Sequence, residues 1–236
     1  MIKTGETYTF ILNSIPIETE FRNIKTMRLT VYPDGRVKLA APIGTAPVLI
    51  SQFTASRLKW IEQCREKFRN RPARDTSLRN NSIVHVWGRA YELKLIEHDG
   101  NSRIKTDGRS MVMYIKKGSP KSKKMEVLDR WYRRTLKEIA PGIIKKWEAI
   151  IGIEVKKLYI RKMKTHWGSC NYEKQTLRLN SELVKQSPEC LEYVIVHEML
   201  HIIEKGHNRK YYLLMNKYIP DWKQIRKKMN TGSYGE

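Results

Sequence analysis

The pattern of hydrophobic and polar positions differs between the two halves of the chain, and the first half is mostly strand-like. Short β-rich segments, several of them alternating, predict six strands, over residues 7–12, 24–32, 36–41, 83–87, 91–97 and 111–116. Pro33-Asp34-Gly35, between the second and third strands, is typical of a hairpin turn. Between the two groups of strands, apolar residues at helical spacing predict a helix over residues 51–70.

A stretch without any apolar residue follows and predicts a domain boundary. Residues 116–124 read KKGSPKSKK, which is typical of an exposed linker or loop. The sequence therefore predicts an α+β protein in three parts. These are a β-rich N-terminal region over residues 1–115, the basic linker or loop over 116–124, and a helix-rich domain with a small sheet over 125–236.

The second half has a helical pattern. Amphipathic spacing predicts a helix over residues 125–150, interrupted at Pro141 because proline cannot donate the helical hydrogen bond. Two strands are predicted after it, over residues 155–160 and 175–180.

A further predicted helix, over residues 188–204, is apolar nearly all round, which is typical of a central buried helix. Ser187 can cap its start, and Pro188 suits the first helical position. Gly206 marks the break after it.

This buried helix contains the motif HEMLH, with His197, Glu198 and His201 among its members. Residues at i and i+4 share one helical face, so both imidazoles can reach one ion. Glu198 projects beside the pair, where it can accept a proton from metal-bound water. A turn at Gly206 would let His207 supply a third imidazole, and three histidines plus water is a catalytic zinc arrangement.

The alternative for the motif is a pair of core histidines hydrogen-bonded to backbone carbonyls. Two histidines and a glutamate inside an apolar helix are costly to bury unless they are paired or bind a metal. Neutral imidazoles also suit zinc better than magnesium or calcium, which prefer oxygen ligands. The motif therefore favours a zinc-dependent metallopeptidase, a hydrolase that cleaves peptide bonds through metal-activated water with Glu198 as general base.

Longer segments around the motif carry a resemblance to a known family. KTHWGSCNYEKQTLRLN over residues 164–180 is followed by VIVHEMLHIIEKGH and then by YIPDW over residues 218–222. Together they resemble the YgjP-like family of zinc metallopeptidases, which are related to the WLM and SprT-like proteins. The family usually has arginine before WGSC, where this chain has His166.

The resemblance implies a zincin-like domain with one catalytic zinc ion, held by His197, His201 and His207, and Glu198 as the base. It also implies a peptide or protein as the substrate.

The segment His166-Trp167-Gly168-Ser169 has two interpretations. It could be an edge segment beside the metal that offers backbone groups to an extended peptide, with Gly168 permitting close approach. Alternatively, Trp167 is a core aromatic and Gly168 a turn residue. His166 either acts on the substrate, by polarising a carbonyl or binding an anion, or is a residue near the site without contact to substrate. The neighbours of the third histidine, Tyr211 and Tyr212, are predicted to be packing residues.

Charge adds a second hypothesis about partners. The chain has 46 Lys and Arg against 24 Asp and Glu, a formal net charge of +22. This suits either a solvated surface or non-specific binding to nucleic acid. The alternative function is therefore a nucleic-acid-associated protein whose zinc site is structural or acts on DNA-bound proteins. No sequence motif of a base-reading fold supports specific recognition.

Composition also indicates where the protein works. No segment approaches the roughly 18 apolar residues of a membrane span, and the start lacks the features of a secretory signal, so no membrane partner is expected. The three cysteines, Cys64, Cys170 and Cys190, lie far apart, which argues against disulfides and against a CxxC metal site. The sequence predicts a cytoplasmic location.

Overall fold

The computed structural model describes residues 5–32, 34–69 and 78–231 of the 236-residue chain. The chain forms two compact units, residues 1–74 and residues 75–236. Strands dominate the early part of the chain and helices the later part, which confirms the predicted α+β class.

The first unit contains a four-stranded sheet and two helices in its described part. Its elements are β1 (Thr7–Leu12), β2 (Ile15–Arg22), β3 (Arg28–Val31), β4 (Val37–Pro42), α1 (Pro47–Ser56) and α2 (Leu58–Arg69). The strand order is β1-β2-β4-β3, with β2 and β4 parallel and the outer pairs antiparallel. Its buried core consists of Ile15, Ile17, Phe21, Val37, Leu39, Ala41, Ile50 and Ile61.

Two features of this unit differ from the sequence prediction. Strand β2 was not predicted, and the single helix expected over residues 51–70 is two helices, because α1 ends with Arg57 as its C-cap. The predicted hairpin turn joins β3 to β4. Gly35 adopts a φ of +84° there, which glycine tolerates without strain. Pro33 of that turn lies outside the described residues.

The second unit begins with another four-stranded sheet. Its strands are β5 (Ser82–Val86), β6 (Arg89–Glu97), β7 (Arg103–Thr106) and β8 (Ser110–Ile115). The order β5-β6-β8-β7 and the strand directions repeat those of the first sheet. The short strand β7 was not predicted, since three of its four residues are exposed and give no alternating pattern.

The remaining elements of this unit carry the histidine motif. They are α3 (Lys121–Ile151), β9 (Lys157–Arg161), β10 (Gly168–Asn171), β11 (Thr176–Asn180), a 3₁₀ helix (Ser181–Lys185), α4 (Pro188–Leu200), α5 (Arg209–Tyr218) and α6 (Trp222–Thr231). The third sheet has the order β10-β11-β9, so β10 is an edge strand. It is antiparallel to β11, which is parallel to β9.

Helix α4 is the buried helix that the sequence predicts, and it packs against α3, α5, α6 and β10. It begins at Pro188 as expected, but the Ser187 hydroxyl lies 3.3 Å from the Cys190 sulfur and does not cap the backbone. Among the helices in the described ranges, none is long and apolar enough to span a membrane.

The predicted interruption of the long helix at Pro141 is wrong, because α3 continues through it. Leu136 and Ala140 are buried on one side of the proline, and Ile144 and Trp147 on the other. Proline costs about 3 kcal/mol inside a helix. Burying a large apolar side chain contributes about 1.5–3 kcal/mol, so this continuous apolar face offsets that cost.

The compact units also divide the chain at a different place from the predicted boundary. The first unit is residues 1–74 and the second is residues 75–236, so residues 116–124 belong to the second unit, in which α3 already begins at Lys121. The physical reason is a shared core: buried residues of β6 and β8 belong to the same hydrophobic cluster as those of α3 and α4. The second sheet is therefore part of the unit that carries the histidines.

Candidate metal centre and its cleft

Three imidazoles converge at the end of α4. The Nε2 atoms of His197 and His207 lie 3.2 Å apart. The His201 ring centroid is 5.1 Å from that of His197 and 4.7 Å from that of His207. One ring nitrogen from each histidine lies within 4.8 Å of the others. Two imidazole nitrogens on a tetrahedral zinc ion, with bonds of about 2.0–2.1 Å, are about 3.3 Å apart, so this cluster fits such an ion.

The other ring nitrogens of His197 and His201 bond to protein groups. Nδ1 of His201 lies 3.1 Å from the Glu204 carbonyl oxygen, so that nitrogen carries the proton. The Tyr211 hydroxyl donates to the His197 carbonyl oxygen at 3.2 Å and accepts from Nδ1 of His197 at 2.6 Å. Both histidines therefore present an unprotonated Nε2 to the centre of the cluster, as metal ligands must.

The loop after α4 places the third histidine. Helix α4 ends at Leu200, earlier than the predicted residue 204, and the backbone N–H of Glu204 closes a turn onto the Leu200 carbonyl at 2.9 Å. Asn208 donates to the Glu204 carboxylate at 3.0 Å and accepts from the Tyr211 N–H at 3.0 Å as the N-cap of α5. These bonds hold His207 immediately before α5.

The side chain of Glu198 extends from α4 to the edge strand β10. The residue is 6% exposed, and its carboxyl group packs directly on Gly168, the first residue of β10. A Cβ atom at Gly168 would lie 2.7 Å from both Cγ and Oε1 of Glu198. Only glycine therefore lets the carboxyl group occupy this position.

Burial sets the protonation of the central groups. It raises the pKa of Glu198 to about 8. It also lowers the pKa of His197 to about 3, with a smaller contribution from the charges of His201 and His207. A neutral imidazole at position 197 is the form that binds a metal.

The segment before β10 is held by one buried side chain, Asn180 at the end of β11. Its amide donates to the carbonyl oxygens of Met163 at 3.0 Å and His166 at 2.9 Å. Its side-chain oxygen accepts from the N–H of Met163 at 3.2 Å, and its own backbone N–H donates to the Trp167 carbonyl at 2.9 Å. Asn180 thereby fixes the approach to Gly168. The sequence identified it only as a strand end.

A cleft of about 260 Å³ opens beside the histidines. Glu198 lines it, together with His166, Trp167 and Gly168 of the predicted substrate segment. Ser169, the fourth residue of that segment, is not among the lining residues. The structure therefore brings three of these four residues to the cleft.

Some residues of the site were missed from the sequence. Tyr211 is buried at 1% exposure, and it also binds His197, a role beyond the predicted packing. Helical spacing gave no signal for this role, because His207 precedes the N-cap of α5 and only Tyr211 lies in the helix. Tyr193 also lines the cleft, four residues before His197 on α4. Arg226, from α6, gave no local signal, since only the tertiary fold brings it to the cleft.

Two metallopeptidase zymogens are among the solved structures that resemble this chain. Jannalysin from Methanocaldococcus jannaschii is 26% identical, with 39% of this chain and 94% of that chain covered at a TM-score of 0.36. Abylysin from Pyrococcus abyssi is 17% identical, with 42% of this chain and 98% of that chain covered at a TM-score of 0.38. No protein with curated annotation matches the sequence significantly.

A match to a protein family covers more of this chain than the matches to solved structures. The profile of the YgjP-like metallopeptidase domain matches residues 25–232, which include the HEMLH motif, His207 and the strands of the third sheet. That match spans most of the chain, and it agrees with the resemblance found in the sequence. The chain therefore belongs to the YgjP-like metallopeptidase family.

Proposed function

We propose that the protein is a zinc-dependent peptidase in which His197, His201 and His207 hold one zinc ion. The convergence of three imidazole nitrogens, with the other nitrogens of His197 and His201 hydrogen-bonded to protein groups, is the observation that carries this proposal. An all-imidazole set suits zinc rather than magnesium or calcium. When bound, zinc supplies a Lewis acid that activates water and polarises the substrate carbonyl.

Glu198 is the general base of the proposed reaction. Its carboxylate accepts a proton from the attacking water and then delivers that proton to the leaving amine. Burial raises the pKa of Glu198, which favours the protonated carboxyl group that delivers the proton to the leaving amine. Gly168 leaves the space in which the carboxyl group sits, so it positions the base.

The edge strand β10 is the proposed binding surface for the peptide. It pairs with β11 on one side, and no described strand pairs with its other side. An extended peptide can add to such an edge through backbone hydrogen bonds. In this proposal Trp167, Gly168 and Ser169 contribute the edge, and His166 contacts the substrate from the cleft.

Metal analysis and peptidase assays test this function together. We expect about one zinc ion per wild-type chain, and loss of the metal in His197→Ala and His201→Ala. Glu198→Gln should keep zinc but lose about 10²–10⁴-fold in turnover, because the general base is gone. A wild-type protein without zinc, or full turnover in Glu198→Gln, would contradict the proposal.

We do not propose the nucleic-acid alternative as a second function, because the comparisons give it no support. Basic side chains on the long helix α3 also have acidic partners. The described pairs are Lys123–Glu126, Arg130–Glu126, Arg133–Asp129, Arg134–Glu138 and Lys146–Glu192. The cytoplasmic location stays a prediction from the sequence.

A further inference from the structure

The wall of the cleft formed by α6 has an unusual composition. Trp222, Arg226, Met229 and Asn230 line it at spacings that place them on one face of the helix. Val194 and other apolar side chains line the cleft beside them. A guanidinium group and an amide group, one helical turn apart and both on exposed residues, thus line a cavity of mixed polar and apolar character next to the histidines.

Arg226 has no acidic partner within the described part of the chain. Lys228, two residues later on the same helix, forms an ion pair with Glu189 at 2.8 Å, but no described carboxylate pairs with Arg226. Among the residues that line the cleft, Glu198 is the single acid, and the proposed mechanism already uses it. The positive charge of Arg226 is therefore available to a ligand.

The hydroxyl of Tyr193 is a further polar group in the same cleft. Its ring lies beside His197, with centroids 5.8 Å apart, and its hydroxyl has no hydrogen-bond partner in the ranges the structure describes. Tyr193 is 6% exposed, and its hydroxyl is not among the fully buried polar atoms without a partner, so a substrate in the cleft can reach it.

We propose that Arg226, Asn230 and Tyr193 form a subsite for a carboxylate group of the peptide substrate. A guanidinium binds a carboxylate through two parallel charge-assisted hydrogen bonds, and the amide and the hydroxyl can donate to the same group. The apolar lining suits the stem that carries the anion. This inference rests on the proposed peptidase function, since it assigns the substrate class of that same site.

The carboxylate could come from an acidic side chain near the scissile bond or from the carboxyl terminus of the peptide. Matched substrates distinguish the two sources. One pair has Glu or Gln at each position flanking a located cleavage site, and the other has a free or an amidated carboxyl terminus. The value to measure is the ratio of kcat/KM within each pair.

We expect the zinc-loaded wild type to favour the charged member of one pair by about tenfold, as one charge-assisted hydrogen bond would give. Arg226→Gln should bring that ratio close to one. Lys227→Gln is the matched control, because it removes one positive charge from the exposed side of the same helix without touching the cleft. No preference in either pair, or a preference that survives Arg226→Gln, overturns the inference.

A binding assay separates this inference from the peptidase proposal. The same peptides, fluorescently labelled, are titrated onto zinc-loaded Glu198→Gln with and without Arg226→Gln. If the charged peptide binds about tenfold more tightly and Arg226→Gln abolishes this difference, the subsite stands. The pair with a free or an amidated carboxyl terminus needs no located cleavage site, so it allows this test even if the wild type cleaves nothing. If both members of each pair are cleaved at equal rates, the peptidase proposal stands and the subsite proposal is overturned. Equal affinities, or no binding at all, also overturn it.

Discussion

One added methyl group at Gly168 should disable catalysis while leaving the metal centre intact. In Gly168→Ala the new Cβ would lie 2.7 Å from Cγ and Oε1 of Glu198 and 3.0 Å from its Cδ. Carbon atoms in favourable contact are about 3.5–4.0 Å apart, so the carboxyl group must move by roughly 0.8 Å or more. The strand itself is held by pairing with β11 and by the bonds of Asn180, so the glutamate side chain is the part that gives way.

The size of the effect follows from that displacement. A misplacement of about 1 Å in a catalytic group costs on the order of 10²-fold in rate, so we expect kcat to fall about 100-fold. Overpacking a core site costs about 1–3 kcal/mol in the free energy of unfolding, and a comparable loss is expected here. Zinc affinity should change little, because the atoms nearest to the new methyl group belong to Glu198 and not to a histidine.

The assay combines steady-state peptide cleavage, zinc content and urea denaturation. Gly206→Ala is the matched control, since its Cβ would have no atom within 4 Å and its backbone is not left-handed. That variant should keep near-wild-type kcat. Unchanged turnover in Gly168→Ala would refute the argument that this contact positions the base. Loss of zinc would show that the substitution acts on the metal centre and not on Glu198.

Three further predictions test other parts of the molecule. Tyr211→Phe removes the hydrogen bond to His197, so zinc affinity in chelator competition should fall about 10–100-fold; unchanged affinity would contradict this role. In the folded, metal-free protein, the Glu198 carboxyl group keeps its proton until about pH 8. In the unfolded chain it releases that proton near pH 4.5, the ordinary pKa of a glutamate side chain. The free energy of unfolding of the wild type therefore falls as pH rises between those two values. From about pH 5.5 to 7.5, the free energy of unfolding of Glu198→Gln, measured in urea, should rise by about 2 kcal/mol relative to the wild type. Parallel stability curves for the two proteins would refute this. Residues 75–236 should fold and bind zinc alone, whereas residues 125–236 should not, because the second sheet shares their core. Circular dichroism with zinc analysis tests this, and a folded shorter segment would support the predicted boundary at residues 116–124.

The sequence was most informative where structure depends on local spacing. The i, i+4 relation within HEMLH places His197 and His201 on one face of α4 without any tertiary information. The continuous apolar character of residues 188–204 also predicted a buried helix, and α4, over Pro188–Leu200, is buried. The three histidines are brought together as the motif indicated, and the metal that they bind stays a prediction.

The sequence was less informative where long-range packing decides the outcome. Pro141 is a helix breaker by local rules, but the apolar face of α3 holds the helix together across it. Strand β2 is an exception, because its alternating residues and the two-residue turn at Asn13 and Ser14 are local features that the sequence prediction overlooked. Arg226 and Asn180 reach the site from distant parts of the chain, so no local pattern indicates their roles.

The family match begins later in the chain than the first strands of the fold. The profile begins at residue 25, after β2 and before β3. Strand β2 is paired on both sides, with β1 and β4, and it supplies Ile15, Ile17 and Phe21 to the core of the first unit. A protein produced from residue 25 onward would lack β1 and β2, so one side of β4 would be unpaired and the core of the first unit would lose three residues. Such exposed strand edges pair with strands from other chains. Expression that follows the family match should therefore yield aggregates, whereas expression from before Thr7 preserves the sheet.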